Sequence, residues 1–388
     1  MTKKDRQLNQ SRLPPLIKQL KATIQSKDPP WTAERLALSC NETCPVEPPR
    51  PKTSMRTLLF SGDKKAMPTI NKIDGGWSLS VPDGVRMGLE ARAEKPANMR
   101  GRRSSAKLET AAYRPAGTPI IYHPSVLGRY PERIVKRRNG RRMQQHGVIF
   151  NGDDREVFNP GDGYPWRCAG RVLFWNRPGA FFWDPPDGSG TAALVGPNMV
   201  VTSSHMIPAG LSSFTAIFLP GLFDSKRSLD LFSYVKTWRQ YLPYDQGSDI
   251  AIMRLHSPIG EQLGWFGTKT YDDDWEDGNY WTRIGYAPIP EKGSNGTRPN
   301  RALNFPIIDD DDSYGVELEY RSDATSGDSG GPVFAWWDGS PHIVGVHSGG
   351  EAELDLSAFG RFFVALNNVA AGGPALPDLV NWGWANWR

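Results

Sequence analysis

The sequence predicts an all-β fold of antiparallel strands. From position 165 onward, short apolar runs alternate with turns rich in Gly, Pro and Asp, as in Ala169–Trp175, Met199–Thr202 and Ile250–Leu255. Among the 388 residues, 40 are Gly and 33 are Pro, and 38% are hydrophobic. Gly and Pro disfavour helix interiors and mark turns, so this composition favours many short strands arranged in an antiparallel barrel.

Charge divides the chain into a basic half and an acidic half. Residues 1–147 hold 29 Lys and Arg against 12 Asp and Glu, a net charge of +17, whereas residues 148–388 hold 17 against 30, a net charge of −13. Opposite net charges attract at low salt. We therefore expect the basic, weakly structured region 1–147 to be an intramolecular partner of the acidic half, as an inhibitory or chaperoning propeptide is.

Nucleic-acid binding is an alternative role for residues 1–147, because basic segments attract phosphates. No recognised motif supports it and aromatic residues are sparse there, so we expect no nucleic-acid partner. Local patterns in this region predict only a short helix over 13–24 and strands over 55–60 and 77–81. The basic run 136–142 is predicted to be a solvated linker that is easily cut.

The cysteines and the apolar stretches say little about the cellular compartment of the protein. Cys40 and Cys44, separated by three residues, predict a local disulfide or two free thiols rather than zinc, and Cys168 is predicted to be a small core residue. No stretch approaches the ~18 apolar residues of a membrane span. The first 20 residues lack the apolar core of a signal peptide. Three possibilities stay open: the protein is exported by another route, its true N-terminus lies elsewhere, or it stays inside the cell.

One serine lies among residues with little or no side chain, in the run Asp323-Ala324-Thr325-Ser326-Gly327-Asp328-Ser329-Gly330-Gly331-Pro332. Glycines allow backbone torsions that a Cβ would block, and they let a substrate carbonyl approach main-chain N–H groups. A hydroxyl nucleophile needs such donors aimed at the charge that develops during acyl transfer. We interpret Ser329 as a candidate nucleophile. The alternative is a glycine-rich hairpin turn that carries a serine.

A serine nucleophile also needs a base, and two upstream stretches supply candidates. His205 follows the apolar strand Met199–Thr202, and Asp249 precedes the apolar run Ile250–Leu255. Asp249 follows His205 by 44 positions, and Ser329 follows Asp249 by 80. Taken singly, His205 is equally typical of a buried polar residue at a strand end, and Asp249 of a turn residue.

Together these stretches resemble the chymotrypsin-like (trypsin-like fold) serine proteases. Gly327–Pro332 matches their nucleophile signature, Thr202–His205 resembles their histidine segment, and Ser248–Leu255 resembles their aspartate strand. The order His, Asp, Ser is also theirs. The resemblance implies a protease domain at 148–388 with two six-stranded antiparallel β-barrels, the first over about 165–270 and the second over about 280–370.

The resemblance also implies the chemistry. His205 would remove the proton of Ser329 as general base, and Asp249 would orient the imidazole. The N–H groups of Gly327 and Ser329 would form the oxyanion hole, and water would release an acyl-enzyme. We expect a monomeric serine endopeptidase that acts on protein or peptide substrates, uses no metal or cofactor, and is extracellular as this resemblance implies. A catalytically idle, protease-like binding module is the alternative.

Two further stretches resemble the bacterial and fungal glutamyl endopeptidases. These are Val148–Val157, which carries Val-Ile and later Asp-Arg, and His347-Ser348-Gly349-Gly350. The resemblance implies a specificity pocket formed by Asp323, Ala324, His347, Ser348 and Gly349, in which His347 and the amine of a freed Val148 bind the glutamate carboxylate of the substrate. Specificity for basic residues through Asp323 is an alternative, and His347 is also compatible with an ordinary half-buried strand histidine.

Asp328 suggests how the enzyme could be switched on. In the trypsin group, the aspartate before the serine pairs with a freed N-terminal amine and so orders the oxyanion hole. Asp328 and the apolar pair Val148-Ile149 permit the same switch. We therefore expect a zymogen that is activated by cleavage near Gly147–Val148.

Overall fold

A computed structural model gives the fold of the chain. It describes Pro30, residues 69–73, 76–80, 89–99, 102, 103, 105–120, 142–145, 147–150, 152–161, 163–180, 184–208, 210–224, 231–242, 245–310, 313–357 and 360–387. The helix predicted over 13–24, the strand predicted over 55–60, and Cys40 and Cys44 lie outside these residues. So does most of the basic run 136–142.

Two short antiparallel strands precede the barrels. Strand β1 covers Thr69–Ile73 and strand β2 covers Gly76–Ser80, and they pair with each other. The strand predicted over 77–81 corresponds to β2.

The first large sheet is a closed barrel. Its strands, in chain order, are β3 (Ala91–Ala93), β7 (Ala169–Trp175), β8 (Gly188–Gly196), β9 (Met199–Thr202), β10 (Ser213–Pro220), β11 (Ser233–Gln240) and β12 (Ala251–Leu255). Val172 and Phe174 on β7 point into the main core while Leu173 and Trp175 contribute to a second cluster, as the two-residue period of a strand requires. The strands predicted at 169–175 and 199–202 are confirmed with the same bounds.

The first barrel has seven strands among the described residues rather than six, because β3 inserts between β10 and β11. It runs antiparallel to β10 and parallel to β11, and Ala91 is fully buried. A three-residue strand is too short to show a hydrophobic period, so β3 could not be predicted from the amino-acid pattern.

The second large sheet curls into a barrel-like shape. Its long path uses β6 (Glu156–Val157), β14 (Trp281–Gly285), β17 (Asn300–Phe305), β18 (Ile307–Asp309), β19 (Val316–Tyr320), β20 (Pro332–Trp337), β21 (Ser340–Ser357) and β22 (Gly360–Gly372). Strands β4 (Glu109–Thr110), β5 (Arg142–Gln145) and β13 (Gly267–Lys269) pair beside this path. The all-β, chymotrypsin-like fold is confirmed.

Segments from both sides of position 148 share these sheets. Strand β3 belongs to the first barrel, while β4 pairs with β13 and β5 pairs with β21 in the second sheet. The division into a propeptide-like region 1–147 and a protease domain 148–388 stays a prediction about processing. In the fold itself, the two parts are interleaved.

The C-terminal helix, Ala375–Asn386, packs against β12 of the first barrel and against β4, β13 and β22 of the second sheet. Leu376, Leu379 and Val380 are buried with the main core, and the indole of Trp384 donates to the carbonyl of Val195 at 3.1 Å. None of the helices in the described part of the chain combines the length and the apolar character that a membrane crossing requires.

Candidate active site

His205 and Asp249 lie in direct contact at the ends of two neighbouring strands. Strands β9 and β12 are antiparallel partners, with Thr202 opposite Ala251, so the residues after β9 meet those before β12. His205 Nδ1 lies 2.6 Å from Asp249 Oδ2, and the main-chain N–H of His205 donates to Asp249 Oδ1 at 2.8 Å. The carboxylate is therefore placed to orient the imidazole.

Ser348 completes the surroundings of Asp249. Its hydroxyl donates to Asp249 Oδ2 at 2.6 Å, and the carboxylate is buried, with 3% of its side chain exposed. The imidazole of His205 keeps 24% exposure. Ser348 was predicted from the resemblance to line the specificity pocket; this role stays a prediction, and the structure shows that its hydroxyl is bonded to the aspartate.

The main-chain carbonyl of His347 joins the serine loop to the histidine segment. It accepts a hydrogen bond from the N–H of Gly330 at 2.8 Å and another from the hydroxyl of Ser203 at 2.7 Å. Gly330 follows Ser329, and Ser203 lies two residues before His205. The three segments that carry His205, Asp249 and Ser329 thus meet at β21.

Thr191 on β8 is a residue of this site that the sequence did not reveal. Its N–H donates to the carbonyl of Ser329 at 2.8 Å, and its hydroxyl donates to the carbonyl of Gly327 at 2.8 Å. The same hydroxyl accepts from the N–H of Tyr286 at 3.0 Å. Thr191 lies in no recognisable motif, so only the fold shows that it holds the carbonyls on both sides of Asp328.

The candidate oxyanion donors lie in a loop that requires glycine. Gly327 has φ +105°, and a Cβ there would lie 2.9 Å from the Cα of Ala287, so a larger residue would be both strained and crowded. Several N–H groups of the loop are hydrogen-bonded, for example that of Asp328 to the carbonyl of Thr325 and that of Gly330 to the carbonyl of His347. Among the described residues, the N–H groups of Gly327 and Ser329 donate to no other group.

The remaining pocket candidates are buried in the second sheet. Asp323 accepts the N–H groups of Phe150 at 2.6 Å and Asp154 at 2.8 Å, and burial raises its pKa to about 7 in spite of these bonds. Ala324 and His347 are fully buried, and His347 Nδ1 lies 2.7 Å from the hydroxyl of Tyr320. Gly349 is buried on β21 opposite Val369.

Val148 already lies against the second sheet in the uncut chain. Its N–H donates to Asn368 Oδ1 at 2.8 Å, and its carbonyl accepts from Asn368 Nδ2 at 2.9 Å and from the N–H of Ala324 at 3.0 Å. The residue is buried, with 6% exposure. A free amine at this position would therefore lie beside Asn368.

Asp328 lies at the centre of a buried ion cluster that the sequence did not reveal. Its Oδ2 lies 2.7 Å from Arg155 Nη1 and 3.2 Å from Arg283 Nη1, and its Oδ1 accepts from Asn300 Nδ2 at 2.8 Å. Burial opposes ionisation, but the charges of Arg283 and Arg155 and the amide of Asn300 hold the pKa of Asp328 well below its usual range. The carboxylate therefore stays charged.

This fold, with a histidine–aspartate pair and a glycine-framed serine loop, defines a chymotrypsin-like serine protease architecture. The model of the trypsin family matches residues 186–369, a range that contains His205, Asp249 and Ser329. The matched segment, a little under half of the chain, is similar to the trypsin family.

Similar solved structures are distant in sequence. A Glu endopeptidase in complex with MPD is 18% identical with a TM-score of 0.48, and the match covers 62% of this chain and all of the other. The thermostable serine protease AL20 from an extremophilic microorganism is 17% identical (TM-score 0.41; 57% and 98% covered), and the protease Anisep from Arthrobacter nicotinovorans is 15% identical (TM-score 0.43; 60% and 100% covered). No curated protein sequence matches the chain. These identities do not assign the glutamyl endopeptidase subgroup or a specificity.

Proposed function

We propose that the chain is a serine endopeptidase that hydrolyses peptide bonds through an acyl-enzyme on Ser329. The observation that carries this proposal is the contact of His205 Nδ1 with Asp249 Oδ2 at 2.6 Å, beside a loop that presents Ser329 and two unused N–H groups. Its substrates are proteins or peptides. Region 1–147 is proposed as an intramolecular partner of the protease part.

In the proposed mechanism, His205 takes the proton of Ser329 through Nε2 while Nδ1–H donates to Asp249. The buried carboxylate holds this tautomer and stabilises the imidazolium that forms. The hydroxyl attacks the substrate carbonyl, and the N–H groups of Gly327 and Ser329 bind the oxyanion. His205 then protonates the leaving amine, and a water activated by the same imidazole releases the acyl group.

We further propose specificity for acidic residues, with His347 as the group that receives the substrate carboxylate. The hydroxyl of Tyr320, whose pKa burial raises, lies 2.7 Å from His347 Nδ1 and so fixes the position of the imidazole in the second sheet. Specificity for basic residues through Asp323 is less favoured, because both carboxylate oxygens already accept main-chain N–H groups.

The test is labelling with a fluorophosphonate probe, followed by cleavage of peptides that differ only in having Glu, Gln or Arg before the scissile bond. We expect the full-length protein to be labelled and Ser329→Ala to be unlabelled, with peptide cleavage reduced by about 10⁴-fold or more. Ser233→Ala is the control, since Ser233 is also buried but lies in the first barrel on β11. Cleavage after Glu should exceed cleavage after Gln or Arg.

A folded protein that neither reacts with the probe nor cleaves any peptide would favour the idle binding module. Preferred cleavage after Arg would favour basic specificity while leaving the proposed chemistry intact. Activation by cleavage near Gly147–Val148 was predicted from the sequence, and labelling of the uncut full-length protein would contradict that prediction.

A further inference from the structure

The carboxylate of Asp328 has its hydrogen-bonding capacity already filled in the uncut chain. Four groups donate hydrogen bonds to its two oxygens: Arg155 Nη1, Asn300 Nδ2 and the N–H groups of Ala287 and Thr325. Arg283 Nη1 lies 3.2 Å from Oδ2 as a further ion-pair partner. A carboxylate offers about four lone-pair sites. No position is left for a newly formed N-terminal ammonium unless one of these donors leaves.

The charges around Asp328 are also balanced without an added cation. Arg155 and Arg283 bring two positive charges, and Asp328 and Asp153 bring two negative ones, since Asp153 pairs with Arg155. The side chains of Arg155, Arg283 and Asp328 are at most 1% exposed. An extra buried positive charge in this cluster would lack a counter-ion and would be costly.

Arg155 is held in place by the segment that carries it. Its Nη1 donates to Thr325 Oγ1 at 2.8 Å, and its Nε donates to Asp153 Oδ1 at 2.9 Å. Lys292 Nζ donates to the carbonyls of Asp153 at 2.8 Å and Arg155 at 2.6 Å, which anchors the turn. The guanidinium is thus pre-oriented between the turn and the serine loop.

The N–H of Val148, by contrast, points to a different partner. It donates to Asn368 Oδ1, while Asp328 is bound by Arg155, seven positions further along the chain. An amine released at Val148 could keep the bond to Asn368 without any rearrangement of Asp328.

We propose that Arg155 is the positioning residue of the serine loop. In the uncut chain it forms the ion pair with Asp328 that a freed N-terminal amine would otherwise form, and this pair orders the loop. The loop is then ordered without cleavage at Gly147–Val148. This inference rests on the proposed function, because it concerns how the same Ser329 and oxyanion donors are held.

The first test uses the wild-type protein without any variant. The full-length chain is treated with a fluorophosphonate probe, and the intact mass of the labelled species is measured. We expect the label on the uncut 388-residue chain. Labelling that occurs only after cleavage near Gly147–Val148 would overturn the inference and leave the proposed function standing, whereas no labelling of cut or uncut protein would overturn the proposed function.

The second test is Arg155→Met, compared with Arg155→Lys and with Arg298→Met, which breaks the exposed pair with Asp224. Removing one oxyanion donor typically costs about 10²–10³-fold in kcat, so a loosened loop should cost about 10- to 100-fold in Arg155→Met. KM should change little, Arg155→Lys should recover part of kcat, and Arg298→Met should behave as wild type. A folded Arg155→Met with wild-type kcat, or a loss confined to KM, would contradict the role assigned to Arg155.

Discussion

At the scale of single residues, Thr191 shows how the first barrel holds the serine loop of the second sheet. Its N–H and its hydroxyl hold the carbonyls of Ser329 and Gly327, and its own carbonyl accepts from Thr202 Oγ1 at 2.7 Å. Thr202 ends β9, which leads to His205. One residue on β8 is therefore bonded to both the serine loop and the histidine strand.

We expect Thr191→Val to slow fluorophosphonate labelling severalfold. Valine keeps the shape but removes the hydroxyl, so the carbonyl of Gly327 loses a donor and the buried N–H of Tyr286 loses its acceptor, at a cost of about 1–3 kcal/mol in stability. Thr191→Ser should restore the rate. Thr215→Val, which removes another fully buried threonine hydroxyl on β10, should lower the Tm without slowing the labelling. Equal labelling rates for Thr191→Val and wild type would refute this role.

At the scale of elements, β4 attaches the N-terminal part of the chain to the second sheet. It has only two residues, but Thr110 Oγ1 lies 2.8 Å from Thr268 Oγ1, and Lys269 Nζ donates to Glu109 at 2.8 Å. His342 Nε2 lies 3.4 Å from the other oxygen of Glu109. Side-chain contacts therefore stabilise a strand that is too short to be held by its ladder alone.

Glu109 should make the stability of this attachment depend on pH. Burial opposes its ionisation, but the hydrogen bonds and charges of His342 and Lys269 lower its pKa below the ordinary 4.5. Because the pKa is lower in the folded state, the contribution to stability is present above about pH 4.5 and is lost as the pH falls through the folded value.

We expect Glu109→Gln to lower the Tm near neutral pH by about 2–4 °C, the shift that corresponds to about 1 kcal/mol in a domain of this size. Below pH 4 the difference from wild type should shrink. Melting curves between pH 3 and pH 7, about the range over which carboxylates titrate, provide the measurement. Glu90→Gln, which removes an exposed pair with Arg92, is the control. A Tm difference that stays constant across this range would argue against the ion pair as its cause.

At the scale of the whole molecule, the sequence predicted what is encoded locally. The fold class and the bounds of β7 and β9 follow from short apolar runs between turns. The approach of His205 to Asp249 follows from two motifs, each carried by a stretch of neighbouring residues. The roles of Ser329, Gly327 and the pocket residues stay predictions.

What the sequence did not predict are contacts between distant positions without a pattern. Arg155 and Asp328 are 173 positions apart, and Thr191 lies 136 positions before Gly327. The strand β3 is only three residues long, and it pairs in parallel with a strand more than 140 positions away. Such pairings depend on burial and on the space that the other strands leave. The hydrophobic period of a short stretch of sequence contains no information about either.

The insertion of β3 leads to a prediction about the chain as a whole. A cut between positions 125 and 135, at an inserted recognition site for a specific protease, should leave the segment 89–120 bound to the rest of the protein. Ala93 and Glu94 donate to main-chain carbonyls of the first barrel, Arg102 pairs with Asp378 at 2.7 Å, and β4 pairs with β13. Both fragments should therefore elute together in size-exclusion chromatography and separate only in denaturant. A matched sample of uncut protein gives the reference volume. Release of the N-terminal fragment under native conditions would mean that it associates as a removable propeptide, whereas retention means that its strands are permanent parts of both barrels.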